Sequence, residues 1–98
     1  MPEPELTLEQ QLNTETARIE WAALERHFAR GVVVWVDSAL DLVAVAAAMV
    51  RDDEAQVMRW MTANQLARAS AEQAKDWHAS DPALWAVVAA PWVLVQER

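Results

Sequence analysis

Gly31-Val32-Val33-Val34-Trp35-Val36-Asp37-Ser38 is the stretch on which the fold turns. Five β-branched or aromatic residues in succession, Val32 to Val36, read as a strand. Apolar groups at every position, rather than at alternate ones, put grease on both faces of that strand. Gly31 is the only glycine in the chain. It follows a helical pattern directly, so it reads as the left-handed residue that closes a helix. Asp37-Ser38 offers side-chain oxygens to open the next one.

Working back from Gly31, Ala17, Trp21, Leu24 and Phe28 fall at helical spacing, with Leu12, Ile19 and Ala23 as a second stripe beside them. This predicts one helix over about Thr14 to Arg30. An earlier turn can open near Leu8, where Thr7-x-x-Gln10 has the form of a capping box. Working forward, Leu40 to Val50 reads as a buried helix because of its length and its alanines, although the Leu40/Leu42 alternation also suits a strand. Asp52 or Asp53 caps a further helix with Val57, Met58 and Met61 facing inward. Leu66-Ala67-Arg68 reads as a short strand. Ser70-x-x-Gln73 is a second capping box, opening a helix with Ala71, Ala74 and Trp77/His78 inside. Leu84 to Ala90 and Trp92 to Gln96 are strand-like, with Pro91 marking a bend, bulge or edge between them.

The expected order is α-β-α-α-β-α-β. This is an α+β fold with about four helices and a small mixed or antiparallel sheet of about three strands. Residues 1–6 read as a flexible tail and 7–98 as one domain. The strands carry more apolar surface than a one-sided helical cover hides. Either helices wrap both faces of the sheet or a partner buries one of them.

Composition narrows function by exclusion. With no cysteine in the 98 residues, disulfides, thiolate metal sites and thiol catalysis are impossible. With one glycine, neither a P-loop nor a dinucleotide-binding turn nor a strained nucleophile turn can be built. Fifteen acidic and eight basic side chains give a net charge of −7, which opposes nucleic-acid binding. The start, Met1-Pro2-Glu3-Pro4-Glu5, is unlike a secretory signal, and the longest charge-free apolar run is too short to span a membrane. The expectation is a cytoplasmic protein with no cofactor, no metal, no nucleic-acid partner and no membrane.

Taken together, Glu15-Thr16-Ala17-x-Ile19-x-Trp21, Phe28-Ala29-x-Gly31, Leu40-Asp41-Leu42-Val43 and Pro91-Trp92-Val93-Leu94-Val95-Gln96 resemble a family of small bacterial proteins known only as a domain of unknown function. The likeness runs over about residues 8–96. It implies a bacterial, cytoplasmic, single-domain protein and carries no chemistry with it.

Six residues are binding candidates, and none is a catalytic candidate. Glu20 and His27 project between the two apolar stripes of the first long helix, as a buried acid/base or ligand pair would. Seven residues of helix, about 10 Å, separate them. The plainer reading is that they answer buried hydrogen-bonding needs. Asp41 is either a first-turn acid favoured by the helix dipole or a buried carboxylate. The run Asp52-Asp53-Glu54 lacks calcium-loop spacing and reads as helix capping. No Glu-x-x-His pair is present for a di-iron site. Six tryptophans serve mainly as core volume, with Trp35 and Trp92 the two placed to reach an interface. Gln96, at the end of the last strand, completes the set.

Surplus apolar strand surface without a catalytic constellation points to a non-catalytic protein–protein interaction or assembly module, a homodimer or a partner-bound protein. The alternative is a small-molecule binder or enzyme with a pocket near Glu20, His27 and Asp41.

Overall fold

A computed structural model describes residues 6–98. Of the tail expected over 1–6, residues 1–5 lie outside the described residues. Ten elements follow in order: α1 (Leu8–Glu15), β1 (Ala17–Ile19), α2 (Trp21–Ala29), β2 (Val33–Val36), α3 (Leu42–Val50), α4 (Glu54–Thr62), β3 (Leu66–Arg68), α5 (Ala71–Ser80), β4 (Leu84–Ala89) and β5 (Trp92–Glu97).

Local chemistry sets most of these boundaries. Thr7 Oγ1 accepts from the Gln10 N–H while the Thr7 N–H donates to Gln10 Oε1, and Ser70 and Gln73 repeat the arrangement. Both capping boxes expected from sequence are formed. Asp53 caps α4 through the Gln56 N–H. Gly31 has φ +74°. Its N–H donates to the Phe28 carbonyl and the Val32 N–H to that of His27, the paired bonds of a Schellman close. Asp52 and Asn64, both at φ 59°, close α3 and α4 with the same bond pattern. The chain thus uses two short polar side chains where glycine is commoner.

Three expectations are corrected. The single helix over 14–30 is broken by β1, so the described residues form five helices rather than about four. The physical reason is strand pairing: Ala17 and Ile19 sit opposite Ala86 and Leu84 of β4, and that tertiary pairing overrides a helical spacing. The C-terminal strand region is a hairpin of two strands joined at Ala90-Pro91, a cis peptide bond. With β1 this raises the sheet from about three strands to five. In α4, Val57 and Trp60 pack inward, whereas Met58 and Met61 are 62% and 49% exposed.

The sheet order is β1-β4-β5-β2-β3. Only β2 and β5 run parallel; the other pairs are antiparallel. The sheet is therefore mixed, with β1 and β3 at its open edges.

The two apolar faces of β2 now have an explanation. Val34 and Val36 enter one core, with Leu12 of α1, Leu42 and Val45 of α3, and Val57 and Trp60 of α4. Val33 enters a second core, with Leu24 of α2 and Trp77 of α5. Helices of the same chain lie on both faces, the first of the two alternatives the sequence leaves open, although Val88 stays 56% exposed. Burying a Val or Leu side chain contributes about 1.5–3 kcal/mol, and a central strand that does so on both sides anchors two layers at once. Tryptophan supplies much of the second core. Trp77 is fully buried, Trp21 lies 6.4 Å from it between ring centroids, and the Trp77 indole N–H donates to the Glu97 carboxylate.

Candidate functional site

The two ends of the first core differ. Where β2 leads into α3, the opening is sealed by polar bonds. Gln96 is 2% exposed, the one buried polar residue among those described. Its Nε2 donates to the carbonyls of Asp37 at 2.9 Å and Leu40 at 2.7 Å, and its Oε1 accepts from Arg98 Nε at 3.0 Å. Arg98 also lies over the Trp85 ring. Asp41 stands on the same loop, exposed, as the N-cap of α3. Its Oδ1 accepts from the N–H groups of Val43 and Ala44. Asp37-Ser38 was the expected cap. Asp37 instead accepts from the Ala39 N–H, a turn one step earlier.

At the other end of β5 the core opens to solvent. Two adjoining cavities of about 340 and 320 Å³ share Met49, Val57 and Trp92 on their walls. One is bounded by Asp52, Asp53 and Glu54 and by the hairpin turn at Pro91. The other runs beside β3, with Met61, Leu66 and Arg68 on its lining. The Arg68 guanidinium lies 5.1 Å from the Trp92 ring centroid, within cation–π range. Methionine, tryptophan and arginine are the residue types that adaptable contact surfaces use.

The edge beside this groove is a free strand edge. The bonds from Asp37 N–H to Gln65 carbonyl and from Ala69 N–H to Val33 carbonyl fix which residues of β3 face β2. By the alternation of an antiparallel ladder, Gln65, Ala67 and Ala69 point toward β2, and Leu66 and Arg68 point their backbone groups outward.

The remaining candidates are not brought together. Glu20 is no mid-helix residue: it is the exposed N-cap of α2, without a side-chain cap bond. It lines a cavity of about 330 Å³ with Arg18, Ile19, Asp81 and Pro82. His27, half-buried, lines a different cavity of about 210 Å³ beside Val88. Asp41 lines neither. The break at β1 is the physical reason that Glu20 and His27 do not share a buried helix face. Trp35 is half-buried and packs against the second core. Gln96 is engaged on every side-chain polar atom by groups of its own chain. Sequence reasoning missed Met49, Val57, Met61 and Arg68 as one surface. The exposed half of α4 and the edge position of β3 become visible only through the sheet order.

Among the described residues no group of three or more His, Asp or Glu side chains is placed to hold a metal ion. No described helix is long and apolar enough to cross a membrane. Among the described residues the one ion pair joins Arg51 to Glu9 at the surface. The hydrogen bond from Arg51 holds the Glu9 carboxyl below the usual carboxylate range.

Fold and groove define a class: small α+β proteins with an open five-stranded mixed sheet between two helical layers. The chain belongs to the DUF2288 family, described as a protein of unknown function, whose model matches residues 7–97. That agrees with the resemblance carried by the Glu15–Trp21 and Pro91–Gln96 segments. Among solved structures the chain is similar to PA1075 from Pseudomonas aeruginosa, determined by NMR in solution. The two share 49% sequence identity at a TM-score of 0.83, over 100% of this chain and 91% of that one. No curated protein matches.

Proposed function

We propose that this protein works by non-covalent protein contact, through the groove between α4, β3 and the β4–β5 turn. The observation that supports this reading is Trp92. It is a large aromatic side chain at the mouth of a core opening, flanked by Met49, Val57 and Met61 and stacked under Arg68. Tryptophan and arginine set in such a depression are the residues that carry most binding energy at protein interfaces. The exposed faces of Met58 and Met61 extend the apolar surface along α4. With both sheet faces roofed by helices, this edge replaces the sheet face as the place of contact.

Site-specific photocrosslinking in the native cell tests the reading. A photoreactive residue at Met61 is expected to give adducts of discrete higher mass, and one at Lys75, on exposed α5 surface, is expected to give none. Unmodified chain alone from both positions would overturn it.

A further inference from the structure

We propose that the groove takes an extended cationic segment of a partner protein. The segment lies along the free edge of β3, an aliphatic or aromatic side chain enters the floor formed by Met49, Met61 and Trp92, and a Lys or Arg meets Asp52, Asp53 and Glu54. The proposal rests on the contact reading above and names the chemistry of the partner.

Three observations carry it. The first is charge. Three carboxylates and no basic residue line the cavity at the α3–α4 loop. The one cation on the adjoining lining, Arg68, is held over Trp92. The acids have structural work, since Asp53 caps α4, but Asp52, Asp53 and Glu54 are all exposed, and their charge is unanswered at the groove. The second is the backbone. Arg68, exposed at the sheet edge, presents its N–H and C=O away from β2, and an extended segment satisfies such groups by pairing there. A helical surface does not. The third is continuity. The apolar floor and the acidic rim share Met49, Val57 and Trp92, so one short segment can reach both. A second copy fits less well, because each copy brings a net charge of −7 and the two repel at low salt.

The test uses the full chain, labelled with nitrogen-15, and two probes: a capped octapeptide of alternating Lys and Leu, and the same peptide with Glu for Lys. The Lys–Leu peptide is expected to shift the amide signal of Arg68 and the Trp92 indole signal. It is expected to bind at least tenfold more tightly than the Glu–Leu peptide, with the difference shrinking as salt rises. The variant Asp52→Asn/Asp53→Asn/Glu54→Gln is expected to bind the Lys–Leu peptide at least fivefold more weakly. Asn keeps the cap at 53 and tolerates the left-handed backbone at 52, so an unchanged signal dispersion shows the fold intact. Equal binding of both peptides at the groove, or an unaffected triple variant, would overturn the cationic partner while leaving the contact reading in place. Shifts at the groove that depend on protein concentration with no peptide present would make a second copy the occupant and overturn the proposal. A groove unmoved by either peptide would overturn it too, and the crosslinking at Met61 then decides the broader reading separately.

Discussion

Trp92 and Gln96 stand four residues apart on β5, with side chains on the same face of the sheet, and their surroundings are opposite. Gln96 is buried and spends both its donors and its acceptor inside the chain. Trp92 is half-exposed, with an arginine over its ring and cavities on two sides. One end of the strand is sealed by polar bonds and the other is left open. The difference teaches that a polar residue at a strand end is no guide to a surface site. A buried amide here stitches the Asp37–Leu40 turn to the centre of the sheet, and the apolar residue is the one that meets solvent.

The contrast can be broken by substitution. Gln96→Leu takes the donor from the Leu40 carbonyl, leaves the Asp37 carbonyl only the Leu40 N–H, and frees Arg98. It is expected to cost about 2–3 kcal/mol, the penalty of buried hydrogen-bonding groups left unmet, read as a fall in urea midpoint at constant slope. Asp41→Ala removes the cap of α3 on the same turn and is expected to cost about 1 kcal/mol by the same measurement. Trp92→Leu, at the open end, is expected to lose about 0.5–1 kcal/mol through the contact with Arg68, and to abolish the Met61 crosslink. A Trp92 variant as destabilised as Gln96→Leu would place both residues in the same structural role and erase the distinction.

The smallest effect belongs to the surface pair. The lowered Glu9 carboxyl makes a contribution that is present above the ordinary carboxylate pKa and lost as pH falls through the lowered one. Both side chains are about half exposed, and salt screens such pairs. Arg51→Gln is expected to lower the melting temperature only slightly at pH 7 and physiological salt and to leave it unchanged near pH 3. It should flatten the acid limb of stability against pH slightly, which thermal melts from pH 3 to 7 would show.

Much of the fold is legible in the residues themselves. The Thr7/Gln10 and Ser70/Gln73 boxes, the Gly31 close, the strand at Val33–Val36 and the alanine-rich helix after Asp41 all follow from local chemistry. What escapes is set by distant partners. β1 is three residues long and has no period of its own, and Ala17, Trp21, Leu24 and Phe28 mimic a helix stripe across a break that only pairing with β4 creates. The role of Gln96 depends on carbonyls 56 and 59 positions away. Trp92 is expected from sequence to reach an interface because its strand is apolar on both faces, and it stands half-exposed at the mouth of the groove. Its companions are not expected, because Met61 and Arg68 join it only once β3 takes the sheet edge.

The central claim is that β3 is an open edge beside Trp92, and amide hydrogen exchange of the isolated chain tests it most directly. Arg68, exposed on the outer side of β3, is expected to exchange quickly while Ala67 and Ala69, bonded to β2, exchange slowly. Protection of Arg68 equal to that of Ala67 and Ala69 would mean that the edge is already covered, and the groove would not be open.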